Sequence, residues 1–314
     1  MRRLLTSFDR VFDGDHPVAG ERLRDAMTAV LDAVEVGEMP EFGSEGDTEF
    51  VASKSDGFVR FNYRPHLFPG MDETLRLAHQ LQFHLLPRDI PADAPVDVAA
   101  VLESYCHLSG DLFGWERLAE GRFLIWIADL AGHGIGAGLC AAVLKVLVAR
   151  AKERGDVARL AAELDRDLHA CKRPGYEALY ATAFFMVFES DGSASYCSAG
   201  HPPALLRRDD GSIEKLEPTS MPIGLIPGQS FKAQNVTLQR GDALLLYTDG
   251  LIETTDKEGN MFGAERVHDL FAAPFQRPEE MTARIYGELS SRQDLPRLDD
   301  DVTFIVSRFG RRDA

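Results

Sequence analysis

Apolar residues from Val96 onward fall into short runs separated by turn-forming residues, a pattern typical of β-strands. Tight turns such as Ser190-Asp-Gly192 and Asp209-Asp-Gly211 join several of these runs and favour hairpins. The runs predict strands over 96–102, 123–128, 179–188, 193–198, 204–207, 212–216, 242–247 and 302–308.

A second pattern, apolar residues at helical spacing, interrupts the strands in pairs. It predicts helices over 139–154, 157–171, 264–272 and 278–292. Because hairpin-linked strands alternate with paired helices, we predict an α+β fold in which helices cover antiparallel sheets. We assign residues 95–311 to one domain of this kind.

The segment before that domain is harder to interpret. Residues 1–70 form an N-terminal extension in which a helix is predicted over 20–36 and a hairpin over 49–63, turning at Ser55-Asp-Gly57. Its role is not readable from the sequence, and a packing or dimerising extension is the plainest interpretation. Residues 71–94 form a linker, with a helix over 72–86 that stops at Pro87. That helix either packs on the body or pairs with its copy in a homodimer, and both alternatives stay open.

Aspartates stand where several predicted strands begin or end. The strand 123–128 runs into Asp129 and a glycine-rich turn, the strand 242–247 runs into Asp249-Gly250, and three acids at 299–301 precede the last strand. A carboxylate at the edge of an apolar core is costly unless something pairs with it. If these strands are neighbours, convergent aspartates without a matching Lys or Arg indicate Mg²⁺ or Mn²⁺ rather than zinc.

Composition excludes several classes of protein. The 314 residues carry 50 Asp and Glu against 34 Lys and Arg, a net charge of −16, which argues against nucleic acid as a partner. The four cysteines form no Cys-x-x-Cys pair, which speaks against structural zinc or a disulfide framework and favours the cytoplasm. We find no signal peptide and no apolar run long enough to span a membrane.

Six ordered motifs between residues 81 and 309 resemble the metal-dependent PPM (type 2C-like) serine/threonine phosphatases, in their bacterial SpoIIE/RsbU-like branch. Alone, each motif would more often be an ordinary turn or loop; together and in order they are specific. The motifs are Ser109-Gly-Asp111, Asp129-Leu-Ala-Gly-His-Gly134, Ser198-Ala-Gly-His-Pro-Pro203, Pro222-Ile-Gly-Leu225, Leu246-Tyr-Thr-Asp-Gly250 and Asp300-Asp-Val-Thr303.

The resemblance implies a four-layer α/β/β/α sandwich with two Mn²⁺ or Mg²⁺ ions at one end of the sheets. It implies that Asp129 bridges the ions and that the Leu130 carbonyl completes one coordination shell. Asp249 and Asp300 are then the remaining ligands, and Asp111 holds metal-bound water. The implied reaction is attack of activated water on a phosphoserine or phosphothreonine. The implied substrate is a phosphorylated STAS-domain anti-sigma-factor antagonist in a partner-switching pathway.

Other residues in the motifs receive no catalytic role. Asp301 is expected to support the site, and His133, His201 and Thr182 are interpreted as structural. Two departures from the family are Gly114, where relatives often carry an acid, and Ser198, where they often carry Asn. The first of these could weaken a metal site or have no effect.

Two other functions fit parts of the sequence. The run 132–137 matches a dinucleotide-binding fingerprint, but the following residues are predicted to be helical where that fold needs a second parallel strand. The other rival is a catalytically weak, phosphatase-like module that binds a regulatory partner without turning it over. Retention of Asp111, Asp129, Asp249 and Asp300 disfavours it.

Overall fold

The structure is a computed structural model that describes residues 48–54, 57–63, 73–87, 89–106, 108–132, 134–151, 155–172, 179–292 and 298–310. The helix predicted over 20–36 lies outside the described residues, as does His133.

Two sheets form the centre of the molecule. The first contains β1 (Thr48–Lys54), β2 (Gly57–Tyr63), β3 (Val96–Glu103), β8 (Ala204–Arg207), β9 (Ile213–Leu216), β11 (Ala243–Tyr247) and β12 (Val302–Phe309), in the order β1-β2-β3-β12-β11-β8-β9. The second contains β4 (Asp111–Arg117), β5 (Phe123–Leu130), β6 (Ala181–Phe188), β7 (Ser193–Ala199) and β10 (Gln234–Thr237), in the order β10-β7-β6-β5-β4.

Six helices accompany the sheets in the described residues: α1 (Glu73–His84), α2 (Ile135–Ala151), α3 (Val157–Cys171), α4 (Asp249–Glu253), α5 (Ala264–Ala272) and α6 (Pro278–Arg292). Helices α2 and α3 pack on the second sheet, and α5 and α6 pack on the first. The resulting order of layers is α/β/β/α, as the resemblance implied. No helix in the described part of the chain is long and apolar enough to cross a membrane.

The core explains why the layers form. One apolar cluster, which includes Trp126, Phe184 and Ile305, fills the space between the sheets and extends under α2 and α3. A second cluster, around Phe271 and Met281, fills the space between the first sheet and the helices α5 and α6. Because strands such as β5 and β6 are buried on both faces, they appear in the sequence as continuous apolar runs.

The hairpin of the N-terminal extension joins the first sheet. β1 and β2 pair in antiparallel fashion, as predicted, and β2 then pairs with β3 in parallel. This is the one parallel ladder among the described strands, where the sequence had predicted antiparallel sheets only.

Three elements were not predicted. β4 carries Gly114 at its middle, and β10 is a short strand exposed at the sheet edge, so neither has the expected apolar run. The short helix α4 begins at Asp249-Gly250, a pair that by itself favours a turn. The region after β5 is helical through Cys171, and β6 returns antiparallel to β5, so the dinucleotide-binding alternative is wrong.

Candidate active site

The predicted site residues come from both sheets and meet at one end of the sandwich. Asp111 opens β4 and lies directly opposite Asp129 in the register with β5. In the other sheet β11 and β12 are paired, so Asp249, just after β11, and Asp300, just before β12, emerge at the same end. The condition on which the sequence argument rested, that these strand ends are neighbours, is met in the structure.

A hydroxyl joins the two sheets at this end. Thr248 is completely buried, and its Oγ1 donates a hydrogen bond to Asp111 Oδ2 at 2.8 Å. The Thr303 amide donates to Thr248 Oγ1 at 3.0 Å, and the Thr248 amide donates to the Thr303 carbonyl at 2.9 Å. Thr248 thereby holds the Asp111 carboxylate in one orientation, a role that sequence reasoning had missed.

Asp301 holds the loop before Asp111. Its Oδ1 accepts a hydrogen bond from the Tyr105 amide and its Oδ2 accepts one from the Gly110 amide, both at 2.7 Å. Because both carboxylate oxygens are engaged by the main chain, Asp301 has the supporting role that the sequence predicted for it. Asp300 Oδ1 in turn accepts a hydrogen bond from the Asp301 amide at 2.8 Å.

The linker helix α1 reaches the same loop through Gln82. Its Nε2 donates to the carbonyls of Ser109, at 2.6 Å, and Gly138, at 3.3 Å, while its Oε1 accepts from the Ser109 amide at 2.9 Å. These bonds tie α1 to the loop that carries Asp111 and to the first turn of α2. Of the two alternatives for this helix, the structure of the single chain shows the first: α1 packs against the α/β/β/α sandwich. Gln82 belongs to no motif, so sequence reasoning had missed its contacts with the loop.

Burial and the crowding of acids raise the pKa values of Asp129 and Asp111. Burial, together with the charges of Asp249, Asp300 and Asp301, raises the pKa of Asp129 to about 8. Burial and the charges of Asp129 and Asp301 raise the pKa of Asp111 well above its ordinary value, against the opposing hydroxyls of Thr303 and Thr248.

The pKa values of Asp249 and Asp301 are raised as well. Burial, with the charge of Asp300, raises the pKa of Asp249. Burial raises the pKa of Asp301 to about 6, although its hydrogen bonds from Tyr105 and Gly110 oppose the shift. An arrangement in which several carboxylates resist ionisation is one in which a bound cation would be strongly favourable.

Glycines let the segments of the site approach closely. The Leu130 amide donates to the Gly110 carbonyl at 3.3 Å, and a Cβ on Gly110 would lie 2.9 Å from the Gly132 carbonyl oxygen and 3.3 Å from that of Leu130. A Cβ on Gly250 would overlap the main-chain carbonyl of Asp301. Side chains at 110 or 250 would therefore push the acidic segments apart.

The donor set fits a hard divalent cation. Within the described ranges, no three His, Cys, Asp or Glu side chains already form a metal-binding cluster. Mg²⁺ does not require one, because it usually keeps several waters and takes only one or two carboxylates from the protein. Asp129, Asp249 and Asp300, with the Leu130 carbonyl, supply oxygen donors alone, which suits Mg²⁺ or Mn²⁺.

His201 and Thr182 have structural positions, as predicted. The Nδ1 of His201 lies 2.9 Å from Thr182 Oγ1, and burial lowers the pKa of His201 to about 3. A histidine that stays neutral across the physiological range is poorly suited to proton transfer.

Gly114 faces the helical layer. A Cβ at this position would lie 2.5 Å from Trp126 Nε1 and 2.8 Å from Lys145 Nζ of α2. Asp111, three residues earlier on β4, instead contacts Thr248 of the opposite sheet. The glycine therefore removes no carboxylate from the end of the sandwich where Asp111, Asp129, Asp249 and Asp300 meet, which we call the acidic end.

The fold and the acidic end define a PP2C-type phosphatase domain. The SiaA-PP2C domain of Pseudomonas aeruginosa superposes with a TM-score of 0.66 at 21% identity, over 76% of this chain and 96% of that domain. A family model described as Stage II sporulation protein E (SpoIIE) matches residues 119–310, and the chain belongs to this family.

Two curated relatives from Bacillus subtilis (strain 168) match most of the chain. Phosphoserine phosphatase RsbP is 31% identical over 235 residues, which cover 74% of this chain and 57% of RsbP. Phosphoserine phosphatase RsbU is 26% identical over 237 residues, which cover 74% of this chain and 69% of RsbU. The chain thus spans little more than half the length of RsbP.

Proposed function

We propose that this chain is a divalent-metal-dependent phosphoserine and phosphothreonine protein phosphatase. The observation that carries the proposal is the convergence of Asp111, Asp129, Asp249 and Asp300 from both sheets, with the pKa of Asp129 raised to about 8. Likeness to RsbP and RsbU, both phosphoserine phosphatases, supports this choice of chemistry.

In this proposal Asp129, the Leu130 carbonyl, Asp249 and Asp300 hold two Mn²⁺ or Mg²⁺ ions. When bound, the ions would lower the pKa of a water molecule and neutralise charge on the phosphoryl oxygens. Asp129 must be ionised to act as a ligand, so below about pH 8 binding releases a proton.

The remaining residues of the chain orient the reaction. Thr248 fixes one oxygen of Asp111, the acid proposed to hold the attacking water. Asp301 fixes the loop that leads into Asp111 by binding two of its amides. Together they keep Asp111 in place across the gap between the sheets, which is the kind of preorganisation on which phosphoryl transfer depends.

We further propose that the substrate is a phosphorylated STAS-domain protein of a partner-switching pathway, and that helix α1 can pair with its copy in a dimer. The first part follows from the resemblance to the RsbU-like branch. The alternative, a regulatory module that binds a phosphoprotein without turnover, requires a site unable to catalyse hydrolysis, and retention of the four acids disfavours it.

The test is phosphate release from a phosphoserine STAS domain, with and without Mn²⁺, by the wild type and by Asp249→Ala. Metal-dependent release that disappears in the variant supports the proposal, and Asp210→Ala, in an exposed turn, serves as the matched aspartate control. No release by the wild type, with Mn²⁺ binding visible by calorimetry, would favour the binding module. Release unaffected by Asp249→Ala would remove that residue from the site.

A further inference from the structure

In the part of the chain that the structure describes, the exposed large apolar side chains lie at the acidic end of the sandwich. In the described residues, large apolar side chains with high exposure occur in three connections, β3 to β4, β9 to β10 and β11 to β12, and in the first turns of α2. They are Tyr105, Ile135, Leu139, Met221, Leu225, Ile226 and Met261. Two of these connections, β3 to β4 and β11 to β12, contain or directly precede a candidate ligand, and α2 begins five residues after Leu130.

The connection from β9 to β10 carries three of these seven exposed apolar residues within a stretch of six residues. Met221, Leu225 and Ile226 are 51%, 39% and 45% exposed, whereas Ile223 between them is fully buried. We call residues 221–226 the apolar loop. Ile223 exchanges two main-chain hydrogen bonds of 2.9 Å with Ala181, the residue that pairs with Leu130 in the β5–β6 ladder. The apolar loop is therefore one strand away from the proposed metal ligand Leu130.

The apolar loop is held in one shape by a buried acid of α3. Asp165 is 4% exposed, and its Oδ1 accepts hydrogen bonds from the Gly224 amide at 2.8 Å and from Gln229 Nε2 at 3.3 Å. Gln229 Nε2 also donates to the Pro222 carbonyl at 2.8 Å. Gly224 has a φ of 80°, which a side chain would oppose. The fold thus fixes a loop whose outward side chains are apolar, an arrangement that reduces the entropy lost on binding.

From this arrangement, and resting on the proposed function, we infer that the apolar loop is the docking surface for the substrate and that the substrate is a folded phosphoprotein with an apolar patch beside its phosphorylated residue. Because the loop is one strand away from Leu130, a protein surface presented to the acids would extend over it. Exposed apolar patches generally mark such contacts.

The net charge of the chain supplies no attraction for a phosphoprotein. With a net charge of −16, the protein repels an anionic phosphoprotein at long range, so affinity must come from short-range contacts. The loop supplies three large apolar side chains for this purpose, and interfaces typically concentrate binding energy in a few such anchors.

The test compares the wild type with a Met221→Ala, Leu225→Ala, Ile226→Ala variant on three substrates. These are a phosphorylated STAS-domain protein, a short phosphopeptide copied from it, and p-nitrophenyl phosphate, all with Mn²⁺. We expect kcat/KM for the protein to fall about tenfold or more, mainly through KM, because the variant removes three apolar anchors of the interface. A tenfold change corresponds to about 1.4 kcal/mol of binding free energy. Hydrolysis of p-nitrophenyl phosphate should be unchanged.

Two further variants complete the design. Asp165→Asn weakens the hold on the loop without touching its apolar surface and should reproduce part of the loss on the protein substrate only. Gln239→Ala, exposed in the connection at the opposite end of the sandwich, should change nothing.

The outcomes separate this inference from the proposed function. If the triple variant cleaves the phosphoprotein as well as the wild type does, or loses activity on p-nitrophenyl phosphate to the same extent, the docking inference is wrong. If the wild type hydrolyses none of the three substrates, it is the proposed function that fails.

Discussion

Replacing Asp129 with asparagine should stabilise the metal-free protein at alkaline pH while abolishing its response to metal. The side chain lies among Asp249, Asp300 and Asp301, and burial with these charges raises its pKa to about 8. An aspartate whose pKa rises on folding stabilises the fold below its unfolded value and loses that contribution as the pH rises through its folded value. The stability of the metal-free wild type should therefore decline between about pH 4 and pH 8.

The size of the effect follows from the pKa of Asp129. A rise from 3.8 to about 8 corresponds to roughly 6 kcal/mol when Asp129 is fully ionised in the fold. Because the neighbouring acids exchange protons with Asp129, part of that cost is redistributed, and we expect Asp129→Asn to gain about 2 kcal/mol at pH 8.5. At pH 5 Asp129 is protonated in the fold but mostly ionised in the unfolded chain, so the difference between wild type and variant should be smaller than at pH 8.5 and should disappear only below about pH 4.

Urea denaturation of EDTA-treated protein at pH 5 and pH 8.5 measures this directly, followed by repetition with Mn²⁺. Metal should stabilise the wild type at pH 8.5 and have little effect on the variant. Asp210→Asn is the control, because hydrogen bonds from Ser212 lower the pKa of Asp210 and its removal should not stabilise the fold. A variant less stable than the wild type at pH 8.5 without metal would refute the reasoning.

Three further substitutions test the framework around the acids. Thr248→Val removes the hydrogen bond to Asp111 at similar volume and should lower kcat about tenfold to a hundredfold at saturating metal, whereas Thr248→Ser should retain most activity. Gly250→Ala would place a Cβ against the Asp301 carbonyl and should cost about 2 kcal/mol or more in urea denaturation as well as activity. Gln82→Leu removes the hydrogen bonds from α1 to Ser109 in the loop before Asp111 and should raise the Mn²⁺ concentration needed for half-maximal activity. An unchanged Mn²⁺ requirement would show that α1 does not influence the site.

Local sequence patterns predicted most of the sandwich because its strands are buried on both faces. β5, with eight apolar or acidic residues between turns, and the helices α3, α5 and α6 can be recognised without any partner. The elements that were missed lack such a local signal. β10 is exposed along most of its length, and β4 places a glycine where Trp126 of the next strand leaves no room for a side chain.

The acids themselves were predictable, and the residues that orient them were not. Asp129 and Asp249 stand out because each ends an apolar strand, a position where an unpaired carboxylate is costly. Thr248 and Asp111 are 137 residues apart, and Asp301 is 191 residues from Gly110, so their hydrogen bonds depend on how the two sheets face each other. No spacing rule within one element contains that information.

The division of the site between two sheets explains why the fold tolerates so many buried acids. The apolar core between the sheets fixes their separation, and close-packed cores resist deformation. Burial of the acids, together with their mutual repulsion, therefore appears as raised pKa values of Asp111, Asp129 and Asp249 and not as a widened gap. A bound cation can recover that energy without moving the sheets, so affinity for metal should depend more on the rigidity of the core beneath the acids than on any single ligand. A cavity-forming substitution in that core, such as Phe184→Ala, should therefore weaken Mn²⁺ binding although it removes no ligand. Calorimetry would measure the change in affinity. Equal affinity in the variant and the wild type would show that the acids hold their positions independently of the core.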